Sequence, residues 1–372
     1  MSHSVEKIKL KSPAPGTERF LTVHHFKGKV SGPKVYLQAA LHADEWPGLL
    51  TLQHMISELI ALDKEDKIIG EIVLVPYANP MGMDQKINGV VLGRQSFSAE
   101  GNFNRNWPDL SDVALKAYEQ NSAISVDQVK QALRDAITHL PTHSPLSHLK
   151  ATLLSLSIDA DIVLDVHCDS QALVHLYSNY RHQQQVTTLA RFVKSPIVLL
   201  EDEPGGSPFD AAHIRPWIAL EETAIKHDCF AVTIELRGSA DVSDELAIGD
   251  AQGLLGYLAN ENIIDYVAPE PEQIAIHATP LTAVDSVSAP ASGIVCFNAN
   301  LGDVIDKGQK VAEIVNLEAQ DPALGRTAVY SRTRGILFAT QINKLVSEGE
   351  NIAKIAGDEE LVNEKGGSLL TL

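Results

Sequence analysis

The sequence of 372 residues is poor in cysteine, in aromatic residues and in positive charge. Its three cysteines, Cys168, Cys229 and Cys296, lie far apart without CxxC spacing, which argues against a disulfide framework and a thiolate zinc cluster. No apolar run reaches the ~18–20 residues of a membrane span, and the first stretch, MSHSVEKIKLKS, lacks the apolar core of a signal peptide. We therefore expect a cytoplasmic protein without a membrane partner.

Negative charge exceeds positive charge by a wide margin. Lys and Arg number 30 against 48 Asp and Glu, so the formal net charge is −18. This field repels nucleic acid unless a local basic patch offsets it, and the sequence contains no such patch. Hydrophobic residues make up 44% of the chain, which is enough to build buried cores, and the length suggests two domains of the typical ~100–200 residues.

Short runs rich in Val, Ile and Leu alternate with helical patterns along the first three quarters of the chain. The apolar runs, which predict buried strands, lie at residues 35–40, 71–78, 161–168, 195–202 and 230–238. The helical patterns lie at residues 46–62, 113–139 and 245–263, and the segment 111–150 predicts a helical excursion at the sheet edge. This alternation predicts an α/β fold with a mixed, largely parallel sheet and helices on both faces.

A proline-rich segment without amphipathic periodicity, residues 267–280, marks a domain boundary. We expect a catalytic α/β domain over residues 1–268, a linker over 269–280 and a β-rich domain over 281–372.

The region beyond the linker contains an internal repeat of two hairpin-like halves, residues 292–314 and 334–355. Two pairs of glycines match between the halves, Gly293 with Gly335 and Gly308 with Gly349. The repeat resembles the barrel-sandwich domains of biotinyl and lipoyl carriers. The stretch between the halves, VNLEAQDPALGRT, has no lysine for attachment. We therefore expect a structural scaffold, and a biotin or lipoyl adduct in the intact mass would contradict this expectation.

Two histidines and a glutamate stand next to predicted strands. His42 and Glu45 are spaced i, i+3 in the segment LHADEWPG, and His167 lies at the carboxyl end of the strand DIVLDVHC, where open α/β sheets collect their ligands. Two imidazoles and one carboxylate leave a fourth tetrahedral position for water, which is typical of catalytic zinc. Taken singly, each residue has a structural alternative, because such a spacing arises by chance and a histidine at a strand end is often a core or surface residue.

Two further segments carry groups suited to amide hydrolysis. Asn104 and Arg105 are adjacent in NFNRNWP, and an arginine fork with a neighbouring amide can bind one anion. Glu235 ends the run TIE in TIELRG, where a carboxylate can act as a general base. The structural alternatives are an ion pair of Arg105 with Asp109 and one of Glu235 with Arg237.

The ordered motifs HADE (42–45), NPMG (79–82), FNRNW (103–107), DVH (165–167) and IELRG (234–238) resemble those of the zinc carboxypeptidase superfamily. The sequence is most similar there to the succinylglutamate desuccinylase/aspartoacylase family, whose members also carry a β-rich C-terminal domain. The resemblance covers essentially the whole chain.

The resemblance implies one zinc ion per chain and assigns a role to each motif residue. The implied zinc ligands are His42, Glu45 and His167, the substrate-binding pair is Asn104 and Arg105, and the general base is Glu235. Arg94, in the segment GRQSF, is either a further cationic substrate contact or a solvated surface residue.

The sequence departs from the family pattern beside the predicted site. Family members often have Asp two residues before the Asn-Arg pair, where it orients a metal-bound histidine, and Asn102 stands there in this chain. An amide oxygen still accepts a hydrogen bond from imidazole. Asp165 is a second candidate for this orienting role, because residues i and i+2 of a strand share a face and Asp165 therefore lies beside His167.

We expect a zinc-dependent amidohydrolase or deacylase that cleaves a small N-acyl amino acid or related compound, a small-molecule substrate with a carboxylate. The first alternative is a metallocarboxypeptidase that acts on short peptides. The alternative of another class is a non-catalytic metal-binding interaction protein. The sequence leaves open the acyl group, the amine and the oligomeric state, a homo-oligomer included.

Overall fold

Each of the five apolar runs forms a strand in the structure, a computed structural model that describes residues 2–30, 32–98, 100–271 and 273–361. The runs suit strands because they are too short for helices and rich in branched residues. The described residues divide into two units. The first contains those up to 167, 206–234 and 242–271, and the second contains 168–205, 235–241 and those from 273 onward. The boundary at 269–280 stays a prediction.

Most of the helices begin where the sequence supplies caps or prolines. Pro47 occupies the first turn of the first helix, and Ser125 with Gln128 forms a capping box at the start of the fourth. The helices are α1 (Pro47–Lys64), α2 (Pro80–Met83), α3 (Ser111–Gln120), α4 (Val126–Ile137), α5 (Pro145–Ser157), α6 (Gln183–Phe192), α7 (Phe209–Ala219) and α8 (Asp244–Asn260). Three of them, α3 to α5, form the helical excursion predicted at 111–150. Within the described residues, none of the helices has the length and apolar character needed to cross a membrane.

The strands of the first three quarters of the chain are β1 (Ser4–Lys9), β2 (Phe20–Lys27), β3 (Lys34–Ala39), β4 (Glu71–Val75), β5 (Lys86–Ile87), β6 (Val90–Val91), β7 (Gln95–Ser96), β8 (Gly101–Asn102), β9 (Ile162–Asp169), β10 (Gln171–Ala172), β11 (His175–Asn179), β12 (Ile197–Glu201) and β13 (Phe230–Gly238). The remaining strands are β14 (His277–Pro280), β15 (Val284–Ser288), β16 (Gly293–Phe297), β17 (Val304–Ile305), β18 (Lys310–Val315), β19 (Arg326–Tyr330), β20 (Gly335–Thr340), β21 (Leu345–Val346) and β22 (Asn351–Gly357).

The sheet of the first unit is mixed, with helices on both faces. Its strands lie in the order β1-β2-β4-β3-β9-β13; β1, β2 and β4 are antiparallel neighbours, whereas β4, β3 and β9 are parallel. Alternate residues of β3 face opposite sides. Tyr36 belongs to a core with residues of α3, α4, α5 and α7, whereas Ala39 and Val166 lie against Gly48 of α1. The predicted α/β fold is confirmed, and the parallel strands β3 and β9 end at the same edge.

The second unit is rich in β-structure. Strands β11, β12 and β14 pair in parallel in that order. Two further sheets have the orders β10-β20-β22-β15, with β17 on β20, and β19-β18-β16-β21. The predicted C-terminal β region is therefore confirmed.

The two halves of the repeat have the same layout of strand, short strand and strand, namely β16-β17-β18 and β20-β21-β22. The long strands pair within each half, whereas each short strand pairs with a long strand of the other half. At Gly293 and Gly335, a Cβ would lie 2.3 and 2.0 Å from a carbonyl oxygen of the neighbouring strand. Gly308 and Gly349 have φ angles of +80° and +85°, which favour glycine. Within each matched pair, the same physical constraint therefore favours glycine at both positions.

A partly buried carboxylate, Asp159, ties α4 to the start of β3. Its Oδ2 accepts a hydrogen bond of 2.8 Å from Nη1 of Arg134, and its Oδ1 pairs with Nζ of Lys34. Burial alone would raise the pKa of Asp159, but Lys34 and Arg134 lower it below the ordinary value. This carboxylate therefore stabilises the fold while it is ionised.

We expect Asp159→Asn to lower the free energy of unfolding at pH 7 by about 2 kcal/mol, the value of hydrogen bonds to a charged group. Because the folded-state pKa is depressed, the contribution is present above the ordinary Asp pKa of about 3.9 and disappears as the pH falls through the lower folded-state value. Urea denaturation at pH 7 and pH 3 measures this, and the difference from wild type should shrink at pH 3. Glu222→Gln, at an exposed position, is the control; an equal effect of both substitutions would contradict the prediction.

Candidate metal centre

The three predicted metal ligands meet at the edge where β3 and β9 end. His42 follows β3, Glu45 stands just before α1, and His167 lies near the end of β9. Strands β3 and β9 are parallel neighbours, with Ala39 opposite Val166. The residues that follow β3 therefore lie beside the last residues of β9, although more than 100 residues separate them in the chain.

Buried polar contacts hold the turn that carries His42. The Asn79 side chain donates a hydrogen bond of 2.9 Å to the Leu41 carbonyl, and its Oδ1 caps α2 by accepting from the Gly82 amide. The Ala43 amide donates to the Gly93 carbonyl, and a Cβ on Gly93 would lie 2.5 Å from the Asp44 nitrogen. Asn79 and Gly93 thus fix the backbone on which His42 sits.

The side chains of His42, Glu45 and His167 converge in a buried group. Their exposed fractions are 3%, 5% and 3%, and one ligand atom from each lies within 4.8 Å of the others. Nδ1 of His42 is 2.9 Å from Oε1 of Glu45, and Nδ1 of His167 is 2.7 Å from Oε2. Among the residues that the structure describes, this is the one such group of three or more histidine, cysteine or acidic side chains.

The outer nitrogen of each histidine faces an oxygen. Nε2 of His42 lies 2.8 Å from Oδ1 of Asn102, and Nε2 of His167 lies 2.9 Å from Oδ2 of Asp165. Both neighbours are the residues that the sequence indicates as orienting groups. Because Nε2 of each ring is turned to its neighbouring oxygen, Nδ1 is the atom available to a metal.

The charges within the group favour a cation. Burial lowers the pKa of His42, so this ring is neutral at pH 7. For Glu45, burial favours the neutral acid, but the two histidines and Arg94 hold the pKa well below its ordinary value. Burial would also lower the pKa of His167, yet Asp165 and Glu45 raise it well above its ordinary value. The two carboxylates therefore stabilise positive charge in this group, either on a protonated His167 or on a bound cation.

The donor set fits a metal ion. A neutral His42 that donates from Nε2 to Asn102 turns the lone pair of Nδ1 toward the Glu45 carboxylate, so that two acceptors face each other at 2.9 Å. A cation bound to both atoms removes this repulsion.

Two more of the predicted site residues touch this group. Nη2 of Arg94 lies 2.7 Å from Oε1 of Glu45, and 38% of the Arg94 side chain is exposed, so this arginine borders the group. Asn104 is buried; its Oδ1 accepts a hydrogen bond from the Phe209 amide, and its Nδ2 is 3.5 Å from Nε2 of His167.

Arg105 lies beside the left-handed turn at Gly206. Nη1 of Arg105 donates to the Asn104 carbonyl. The Arg105 carbonyl accepts a hydrogen bond of 2.6 Å from Nζ of Lys150. The backbone amide of Asn106 donates to the Gly206 carbonyl. Gly206 has a φ of +78°, and a Cβ there would lie 2.6 Å from Cδ of Arg105. The side chain of Arg105 thus lies directly against the glycine.

Glu235, the predicted general base, is partly buried near the end of β13 in the part of the chain that belongs to the second unit. Burial raises the pKa of Tyr177, and the Glu235 carboxylate raises it further. Burial would lower the pKa of Lys354, but Tyr177, Asp169 and Glu235 raise it. Within the second unit, Glu235 therefore shares its surroundings with a buried phenol and a buried ammonium group.

Several residues of the site were not predicted from the sequence. Gln38 is fully buried and donates from Nε2 to Oδ1 of Asp165 at 2.9 Å. The sequence did contain a signal for Gln38, because a glutamine stands in the otherwise apolar run VYLQAA. Asn79 lies in the motif NPMG, but no role followed from its position in the sequence. Nothing in the sequence connects Gly206 with Arg105.

The fold and the site together define a class: an α/β domain with a buried His-Glu-His group at the carboxyl edge of its sheet. The family model for the succinylglutamate desuccinylase/aspartoacylase catalytic domain matches residues 31–143. This is the family that the motifs of the sequence resemble, and the matched region contains the segments HADE, NPMG and FNRNW.

Relatives cover most of the chain. It is 23% identical over 336 residues, 87% of this chain and 82% of the relative, to the N-α-acetyl-L-2,4-diaminobutyric acid deacetylase of Halomonas elongata. The structure of a succinylglutamate desuccinylase/aspartoacylase family protein from Shewanella amazonensis is similar with a TM-score of 0.86 and 25% identity, covering 96% of this chain and all of that chain. The product-bound ectoine utilization protein EutE (DoeB) from Ruegeria pomeroyi shares the fold, with a TM-score of 0.68, 18% identity and 96% coverage of both chains.

Proposed function

We propose that the protein is a zinc-dependent deacylase that hydrolyses the amide bond of a small N-acyl amino acid to a carboxylate and an amine. The observation that carries the proposal is the buried convergence of His42, Glu45 and His167, with both Nδ1 atoms turned toward one carboxylate. Two nitrogens and one oxygen with an open fourth position are typical of catalytic zinc. One ion per chain satisfies this set.

His42, Glu45 and His167 would hold the zinc ion, which when bound supplies the Lewis acidity that activates water and polarises the amide carbonyl. Asn102 and Asp165 keep the two imidazole rings oriented. Glu235 takes the proton from the attacking water and delivers it to the leaving nitrogen. One water is consumed, the C–N bond breaks, and the products are a carboxylate and an amine.

The arginines support a substrate with a carboxylate. Because the chain has a net charge of −18, the positive charge that binds a carboxylate has to come from side chains close to the site. Arg94 contacts Glu45. Arg105 follows Asn104 in the chain, and the side-chain amide of Asn104 lies beside His167. A guanidinium fork binds a carboxylate with two parallel hydrogen bonds, which fixes the substrate's orientation.

Turnover of a substrate panel tests the proposal. The purified full chain, supplied with zinc, is assayed against N-acetyl, N-succinyl and other N-acyl amino acids, including N-acetylated diamino acids because of the Halomonas elongata relative, beside short peptides. We expect hydrolysis of one or more N-acyl amino acids that is lost with a chelator. Peptide hydrolysis alone would favour the metallocarboxypeptidase, and bound zinc without any turnover would favour the metal-binding interaction protein.

Gly206→Ala tests the placement of Arg105. The added methyl group would displace Cδ of Arg105, so we expect KM to rise about tenfold with a smaller change in kcat, because binding geometry and not the chemistry is disturbed. Gly16→Ala is a matched control: Gly16 has a φ of +81° but no atom within 4 Å of its Cβ position. If both substitutions changed KM equally, the contact with Arg105 would have no role in binding.

A further inference from the structure

Gln38 is a buried polar side chain near the carboxyl end of β3, where its neighbours in the chain, Leu37 and Ala39, are apolar. It lies on β3 directly opposite Asp165 of β9, and its exposed fraction is 0%. Burying an amide is costly unless its hydrogen bonds are made, and a leucine at this position would fill the core without that cost. A buried glutamine therefore calls for a specific partner.

Gln38 belongs to a short chain of buried side-chain contacts that runs from Tyr36 through Gln38 and Asp165 to His167. The Tyr36 hydroxyl donates to Oε1 of Gln38 at 2.8 Å, and Nε2 of Gln38 donates to Oδ1 of Asp165 at 2.9 Å. The other oxygen of Asp165 lies 2.9 Å from Nε2 of His167. One oxygen of Asp165 thus accepts a hydrogen bond from Gln38, and the other lies in close charged contact with His167.

The direction of these contacts follows from Tyr36. Burial raises the pKa of its phenol well above the ordinary value, and Asp165 raises it further, so the hydroxyl stays protonated and donates. The amide oxygen of Gln38 then faces Tyr36, and its NH₂ group faces Asp165. Without this amide, one buried oxygen of Asp165 has no donor, and the carboxylate is free to turn away from His167.

We propose that Gln38 is a positioning residue of the metal site. It holds the Asp165 carboxylate in the orientation that keeps Nε2 of His167 occupied and Nδ1 directed at the metal. The inference rests on the proposed function, because it concerns the same zinc ion. It adds a residue that touches neither the metal ligands nor the substrate and acts on them through Asp165.

The experiment measures zinc affinity in the full chain. Wild type is compared with Gln38→Met, which keeps the length of the side chain without its amide, and with Gln38→Asn, which keeps the amide but is too short to reach Asp165. The zinc dissociation constant is obtained by competition with a chromogenic chelator, and the visible spectrum of the cobalt-loaded protein reports ligand geometry. Ser157→Ala removes another fully buried polar group and is the matched control.

We expect both Gln38 variants to bind zinc roughly 10- to 100-fold more weakly, the typical cost of losing an outer-shell partner. We also expect a changed cobalt spectrum, which a purely structural role would not produce. Ser157→Ala should lower the melting temperature without changing zinc affinity. If Gln38→Met does not fold, the zinc affinity and the cobalt spectrum of Gln38→Asn provide the test.

Zinc affinities and cobalt spectra equal to wild type in the Gln38 variants would overturn this inference and leave the proposed function intact. A wild-type protein that retains no zinc would overturn the proposed function itself, and the two failures are therefore distinct.

Discussion

Replacement of His42 by alanine is expected to abolish metal retention while leaving most of the fold in place. The change removes one of three ligands and leaves Glu45 and His167, which is fewer than the three protein ligands typical of catalytic zinc sites. The His42 ring makes its contacts with Glu45 and Asn102, so the sheet and its helices keep their packing.

Metal content per chain, measured by elemental analysis after dialysis against zinc-containing and then metal-free buffer, checks this result. We expect about one zinc ion per chain in wild type and less than about a tenth of that in His42→Ala. His139→Ala, at an exposed position, should retain wild-type content. Full retention of zinc by His42→Ala, with an unchanged circular dichroism spectrum, would show that His42 is not a ligand.

The second large effect is expected for Glu235→Gln, which should retain zinc and substrate binding and lose turnover. Glutamine keeps the size of the side chain but cannot accept the proton of water. General acid–base groups typically contribute ~10²–10⁴-fold, so kcat should fall by about that factor with KM little changed. The residue follows three β-branched residues of β13, Val232, Thr233 and Ile234, so its position is well defined.

Zinc content and kcat must be measured on the same preparation. Near-normal turnover would remove Glu235 from the mechanism, and loss of zinc would make it a ligand instead. The structural alternative, in which Glu235 only pairs with Arg237, predicts that Arg237→Met reproduces the defect. Arg237 has a φ of +60°, so the simple i, i+2 alternation of a regular strand does not apply at this residue.

The central strands could be predicted because both of their faces are buried. Burial on both faces produces continuous apolar runs, and β3, β4, β9, β12 and β13 all follow from such runs. The edge strand β1 could not be predicted, because all its side chains but one are exposed. Backbone pairing with β2 holds β1 in the sheet, and backbone hydrogen bonds leave no pattern in the side chains.

The metal ligands could be identified because their positions carry local information, namely the i, i+3 spacing of His42 with Glu45 and the strand end at His167. The supporting residues carry no such information. Gln38 lies opposite Asp165 only because β3 and β9 are neighbours in register, 127 residues apart in the chain. Gly206 lies against Arg105 only because of the path of a loop. Such contacts depend on strand order and loop path, which periodicity does not reveal.

The exchange of short strands in the C-terminal repeat makes this region an intramolecular dimer. Strand β17 of the first half completes the sheet of β20, and β21 of the second half completes that of β16. Each half therefore depends on the other for its hydrogen-bonding partners, as two swapped subunits do. Neither half is an independent folding unit, and the two must form in one cooperative step. A single half with this geometry would need a second copy of itself to complete its sheets.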